Sequence, residues 1–348
     1  MIQSTATDAP TRPSSILDWQ PLADRILKGH ALTESEGLAI LRSPDEQLLE
    51  VLAAAYRVRR QYFGNTVQLY FLMNAKSGLC PEDCGYCSQS KVASSEIPRY
   101  NLLNRDQILE GARVAHERKS KTYCIVISAR GPNEREMSAI TSIVPEIKQR
   151  YDLKICACLG LLTPEQANRL KACGVDRVNH NVNTSPEYYA QICSTHTYED
   201  RIATLQAVRT AGMELCSGGI IGMGEQDEDV VRMALELRDL AVHSIPVNFF
   251  HPVDGTPVST QPIVRPLTPR YCLKVLAMFR MANPTCELRI AGGRELHLGS
   301  MQCLGFYPAN SVFVGDYLTT KGQLPEADYR MIQDLGLTIT RNEPEVVA

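Results

Sequence analysis

Three cysteines stand within eight residues in K-S-G-L-C-P-E-D-C-G-Y-C-S-Q-S: Cys80, Cys84 and Cys87, spaced C-x3-C-x2-C. Pro81 and Gly85 suit a tightly wound loop, so the three sulfurs can face one centre. Soft thiolates select zinc or iron–sulfur clusters. A structural zinc site closes with four protein ligands, and no fourth Cys or His neighbours these three, so zinc would need a distant ligand. A cluster held by three cysteines keeps one iron open, and an open iron can take a small molecule through amino and carboxylate groups.

Three further thiols fall on separate predicted strands: Cys124 in K-T-Y-C-I-V, Cys156 in K-I-C-A-C-L-G and Cys216 in E-L-C-S-G-G-I-I-G-M-G-E. If those strands surround one interior, the thiols can meet a second metal centre; taken singly, each is explained as a buried free Cys. Cys158 faces the same side of its strand as Cys156, and spacing does not separate the two. Arg289 has a simple reading as a buried Arg paired with a carboxylate. Asn179, His180, Asn181, Asn183 and Asn248 put groups that donate and accept at strand ends, where Asn-rich turns are the plainer account. Packing is sufficient for Cys173, Cys193, Cys272, Cys286 and Cys303. The histidines show neither H-x-x-x-H nor H-E-x-x-H, so no His-based metal site is expected.

The elements that must carry these residues alternate. Eight short β-branched runs are legible: Val67–Met73, Thr122–Ser128, Leu153–Leu159, Val175–Asn181, Met213–Ser217, Pro246–Phe250, Glu287–Ala291 and Ser311–Val314. Between them lie helical stretches at Arg105–Arg118, Asn133–Arg150, Thr163–Ala172, Tyr198–Ala211, Asp227–Ala241 and Thr268–Ala282, several opening on Asn, Thr or Asp caps. Strand–helix alternation of this length predicts a (β/α)8 TIM-type barrel at 63–337, with a doubly wound sheet as the alternative. Residues 16–62 read as an N-terminal helical extension, 1–15 as a disordered tail and 338–348 as a C-terminal tail.

Composition narrows the function. Lys+Arg 36 against Asp+Glu 39 leaves a net charge of −3 without like-charge blocks, which argues against a nucleic-acid or membrane partner. Twelve cysteines without a secretory h-region point to a reducing cytoplasm, where thiols mean metal or catalysis.

With its aromatic before the last Cys and its place after the first strand, the C-x3-C-x2-C loop resembles the radical S-adenosylmethionine superfamily. Over about Ala31 to Leu337 the chain also resembles the biotin synthases, through the Cys80–Cys87 segment, V-N-H-N-V-N-T-S-P-E-Y-Y, C-S-G-G-I-I-G-M-G-E, I-P-V-N-F-F-H-P-V-D-G-T-P and R-I-A-G-G-R-E. This resemblance implies a 4Fe-4S cluster on Cys80, Cys84 and Cys87 that binds S-adenosylmethionine and cleaves it to a 5′-deoxyadenosyl radical. It implies a second, 2Fe-2S cluster on Cys124, Cys156, Cys216 and Arg289 that donates sulfur to dethiobiotin. It further implies S-adenosylmethionine contacts from Tyr86, Asn183, Arg201 and Ile220, although a helical Arg such as Arg201 is otherwise expected to be exposed. Dethiobiotin contacts would come from Asn179, Asn181 and Asn248. A flavodoxin- or ferredoxin-type electron donor and a homodimer are implied as well. The S-G-G-I-I-G-M-G-E run lacks the order of a phosphate loop and reads as glycines giving backbone room to the adenosyl ligand. Other radical enzymes of similar barrel would share the first three cysteines but not the set Cys124, Cys156, Cys216 and Arg289. A zinc-stabilised binding protein, the rival from another class, would be colourless and free of acid-labile sulfide.

Overall fold

The computed structural model describes residues 19–78, 80–262 and 264–341, so the expected tail at 1–15 lies outside the described residues. Three helices come first: α1 (Trp19–Leu27), α2 (Glu34–Leu41) and α3 (Leu48–Phe63). Thr33 opens α2 with a full capping box, its hydroxyl accepting from the Glu36 amide while the Glu36 carboxylate accepts from the Thr33 amide.

The barrel follows as β1 (Thr66–Lys76), α4 (Arg105–Glu117), β2 (Thr122–Ile127), α5 (Glu134–Arg150), β3 (Lys154–Cys158), α6 (Pro164–Ala172), β4 (Arg177–Asn179), α7 (Tyr198–Thr210), β5 (Glu214–Cys216), β6 (Gly219–Ile221), α8 (Asp227–Asp239), β7 (Ser244–Phe249), α9 (Pro269–Ala282), β8 (Glu287–Ile290), α10 (Arg294–Leu298), β9 (Ser311–Phe313), α11 (Pro325–Asp334) and β10 (Thr338–Ile339). Neighbouring strands run parallel in the order β1-β2-β3-β4-β5-β7-β8-β9, and β9 pairs back onto β1, closing an eight-stranded barrel. Asn104, Asn133, Thr163 and Thr197 cap the helices that return the chain to each next strand, as their residue types lead one to expect.

Two details differ from the sequence pattern. The fifth strand is two pieces, β5 and β6, because the glycine run after Cys216 itself enters the sheet: Gly219 pairs with Val247 of β7. A Cβ on Gly218 would lie 2.0 Å from the Pro246 carbonyl oxygen, and one on Gly219 2.1 Å from the Met233 sulfur. These two glycines thus serve strand–strand and strand–helix packing. At the other end, β10 pairs Thr338 and Ile339 with Thr66 and Val67, so the stretch expected as a tail from 338 begins inside the sheet.

The N-terminal helices complete the outer ring: α1 packs on α3, α3 on α9, and α2 on α8 and α9. That explains α9, where every residue from Tyr271 to Ala282 is buried. Its two buried cations are satisfied internally: Lys274 Nζ donates to the Ser43 carbonyl at 2.5 Å and Asp45 at 2.8 Å. Arg280 donates to the Pro308 and Cys286 carbonyls and to Asn310 Oδ1 at 2.7–2.8 Å.

Candidate functional site

Parallel strands aim their C-terminal ends at one face of a barrel, and the loops there build the site. A cavity of about 270 Å3 opens at that end. Tyr86, Cys87, Ser88 and Gln89 of the three-cysteine loop line it above; Cys124, Cys156 and Arg289 line it below. Between them the walls are largely apolar, with Leu72, Val126, Phe249, Phe250, Phe313 and Leu318.

The inner thiols converge as barrel geometry dictates. Cys124 of β2 sits in register beside Cys156 of β3, and Cys216 lies across β4, opposite Asn179. Cys124 and burial push the Cys156 thiol well above its ordinary pKa, and Cys216 acts on it in the opposite direction. Cys158 lines the same cavity two residues further up, beside Val126, whereas Cys156 is the register partner of Cys124. Arg289 from β8 is 1% exposed, with Nη1 3.8 Å from Cys216 Sγ and its guanidinium 3.3 Å from the centre of the Tyr70 ring. It is also the carboxylate-paired Arg of the simpler reading: Nη2 donates to Glu287 at 2.9 Å and Ser244 at 2.6 Å.

Beneath this lies a charged plate. Glu287 Oε2 accepts from Tyr70 OH at 2.6 Å and Arg177 Nη1 at 3.0 Å, and Arg177 continues to Glu214. Burial favours the neutral acid, yet Arg177 and Arg289 outweigh it and hold the Glu287 carboxyl far below its ordinary range. Burial likewise opposes the Arg289 cation, but the Tyr70 oxygen, Cys216 and Glu287 facing it raise its pKa.

Three soft thiols, one nitrogen ligand candidate and an Arg289 Nε without a partner fit an iron–sulfur group with one weak ligand. The upper loop fits too: Cys87 N donates to the Cys84 carbonyl at 3.1 Å, winding the loop tightly, while Gly85 N pins it to Ile192 O at 2.8 Å.

The amides are placed as follows. Asn179 Nδ2 donates to Asn181 Oδ1 at 3.0 Å and lies 3.2 Å from Cys216 Sγ. Asn248 bridges two backbones, donating to Gly219 O and accepting from Gly292 N, each at 3.0 Å. Asn183 adopts a left-handed backbone (φ 72°) and donates to Tyr86 OH at 2.5 Å. Ile220 lines the cavity. Arg201 is 8% exposed, contrary to the surface fate expected of a helical Arg. It donates to Tyr189 OH, to Asn181 O at 2.8 Å and lies 2.8 Å from His196 Nε2.

Sequence reasoning missed the cluster around Arg201. Cys193, read as packing, lies 3.7 Å from Cys84 Sγ and 3.3 Å from His196 Nδ1. Cys84, Cys193 and His196 thus form a thiol–imidazole group that no motif announced, since it joins a loop at 84 to one at 193–196. Glu82 accepts from Thr195 and faces His196 Nδ1, both at 2.5 Å. Asp83 accepts from the Ser194 and Thr195 amides at 2.9 and 3.1 Å. The cue available in sequence was T-H-T-Y-E-D-R, whose short polar residues flank a helix cap.

Comparison with known proteins matches this geometry. Residues 76–237 match the Radical SAM superfamily and 246–338 the Biotin and Thiamin Synthesis associated domain. The barrel resembles methylornithine synthase (TM-score 0.79, 18% identity, 92% of this chain and 97% of that one) and the FeFe-hydrogenase maturase HydG of Carboxydothermus hydrogenoformans (0.77, 17%, 94% and 81%). At such identities these two share the fold alone. Fold and sequence together define a radical S-adenosylmethionine protein. The chain is 62% identical to the biotin synthase of Rhodopirellula baltica over 92% of its own length and 89% of the relative's. It is 56% identical to that of Anoxybacillus flavithermus (93% and 97%) and 52% to that of Bacillus subtilis (92% and 95%). It belongs to the biotin synthase family.

Proposed function

We propose that the chain inserts sulfur between two saturated carbons of dethiobiotin to give biotin. Cys80, Cys84 and Cys87 would hold a 4Fe-4S cluster, and Cys124, Cys156, Cys216 and Arg289 a 2Fe-2S cluster. When bound, these groups supply the electron that splits S-adenosylmethionine and the sulfur atom that enters the product. The observation that carries the reading is that one cavity is lined by Cys87 of the first cysteine loop and by Cys124, Cys156 and Arg289 of the second set.

The chain's own part is placement. Asn179 and Asn181 present amides beside Cys216, able to orient a polar ring over the thiols. Asn248 ties Gly219 to Gly292 and fixes the wall between β6 and β8. Tyr86 and Ile220 line the cavity, Asn183 bonds to Tyr86 and Arg201 to Asn181 behind them, and these four would hold S-adenosylmethionine. The apolar walls exclude water from reactive carbon. Two hydrogen abstractions would use two S-adenosylmethionine molecules, with electrons from a flavodoxin- or ferredoxin-type donor. A homodimer working in a reducing cytoplasm accords with the resemblance and with twelve free cysteines. Among the described residues no helix is long and apolar enough to cross a membrane.

The test is an anaerobic assay with dethiobiotin, S-adenosylmethionine and a reductant. Cys216→Ala should still release 5′-deoxyadenosine, lose the 2Fe-2S absorbance and form biotin more than about 100-fold more slowly. Biotin formation at the parental rate, or a colourless zinc protein, overturns the reading.

A further inference from the structure

Cys84 and Cys193 are 109 residues apart in sequence and their sulfurs are 3.7 Å apart. The contact is built by two laced loops. Gly85 N donates to Ile192 O at 2.8 Å, and Asp83 Oδ1 receives the amides of Ser194 and Thr195 at 2.9 and 3.1 Å. Both thiols are buried. Bringing two sulfurs from van der Waals contact to a bond of about 2.05 Å takes side-chain rotation within such a frame. His196 Nδ1 and Asp83 Oδ1, each at 3.3 Å, and Thr195 Oγ1 at 3.7 Å surround the Cys193 sulfur and hold it within reach of Cys84.

We infer that Cys193 is the resolving thiol of the metal-free outer site, forming a Cys84–Cys193 disulfide when that site is oxidised. The inference rests on the reading of Cys84 as a cluster ligand for its purpose, though not for the bond itself. Hydrogen peroxide, small enough for a buried pair, is the oxidant. One thiolate attacks a peroxide oxygen to give a sulfenic acid and water; the second attacks that sulfur and expels another water. Two thiols and one peroxide become one disulfide and two waters. A dithiol reductant returns both thiols by exchange. The bond keeps Cys84 from the irreversible sulfinic state. Cys193 lies outside the C-x3-C-x2-C set, so it does this without being needed as a ligand.

The experiment uses full-length protein stripped of metal under reducing, anaerobic conditions, then treated with one equivalent of hydrogen peroxide. Trypsin releases residues 77–91, with Cys80, Cys84 and Cys87, and residues 178–201, with Cys193. A non-reducing digest should contain these two peptides joined, with fragmentation assigning the link to Cys84, and dithiothreitol should separate them. In Cys193→Ala given a second equivalent of peroxide, the two that one sulfinic acid consumes, the 77–91 peptide should instead carry sulfinic acid on Cys84. After peroxide and dithiothreitol, that variant should regain less than about half the parent's 4Fe-4S absorbance. Unoxidised Cys193→Ala should take up iron as the parent does, which controls for folding. A parent digest in which Cys193 stays free for alkylation while Cys84 pairs with Cys80 or Cys87, or a variant that recovers as fully as the parent, overturns the inference. If unoxidised parent takes up no 4Fe-4S cluster, the functional reading fails, while the peptide map still decides the disulfide.

Discussion

Arg289 couples the thiols to the charged plate: Nη1 faces Cys216 while Nη2 holds Glu287. Replacing it with Met removes one partner of a buried pair and leaves Glu287 with Arg177 and the Tyr70 and Ser244 hydroxyls, which should cost about 3 kcal/mol in a denaturant titration. Arg289→Lys keeps a cation for Glu287 and should recover most of that loss. Asn179 is different in kind, because its amide reaches both Asn181 and the Cys216 sulfur from the cavity wall. Asn179→Ala should raise KM for dethiobiotin about tenfold, the worth of one hydrogen bond of about 1.4 kcal/mol, and leave uncoupled S-adenosylmethionine cleavage unchanged. Unaltered KM would remove Asn179 from the substrate side.

At the scale of elements, the strand–helix alternation was legible because several barrel helices open on short polar caps such as Asn104, Asn133, Thr163 and Thr197, and most strands are β-branched runs. The two halves of the fifth strand were not legible. Gly218 and Gly219 carry no side-chain period, and what makes them strand-like is the nearness of Pro246 and Met233, a tertiary fact. The site divides in the same way. Thiols on strands declare themselves once a barrel is assumed, whereas Cys193, His196, Glu82 and Asp83 meet through loop pairing that no local spacing records. Glycine at a positive φ gives a graded test. Gly293 (φ 80°) would put a Cβ 2.0 Å from the Phe249 carbonyl oxygen, while Gly29 (φ 95°) has nothing within 4 Å. Gly29→Ala should therefore cost only backbone strain, about 1–2 kcal/mol. Gly293→Ala should lower Tm further, since β7 must also move; equal shifts in thermal denaturation would contradict the packing role.

For the molecule as a whole, the N-terminal helices are the missing wall of the outer ring rather than an appendage. Deleting residues 1–47 removes α1 and α2, uncovers the buried faces of α8 and α9 and strips Lys274 of Ser43 and Asp45. Such a truncation should be insoluble or bind a hydrophobic dye, whereas deleting 1–15 alone should leave Tm unchanged. Glu36 links the same region to pH. Burial opposes its charge, but hydrogen bonds from the Thr33 amide, His30 and Arg25 outweigh it and bring its pKa from 4.5 to about 2. A depressed carboxylate stabilises the fold above its unfolded pKa and loses that contribution as pH falls through the folded value. Glu36→Gln should thus lower stability at pH 7 and flatten the loss between about pH 4.5 and 2, as acid titration of the folded signal will show.

The plate of Tyr70, Arg177, Glu287 and Arg289 carries a last implication. These bonded side chains form a floor beneath the cavity whose upper part the three-cysteine loop lines. If Cys124, Cys156, Cys216 and Arg289 hold the sulfur donor, replacement sulfur and substrate share one cavity, so re-arming and occupancy take turns. Saturating dethiobiotin should then delay recovery of a depleted enzyme, and washing it out should let the next round begin.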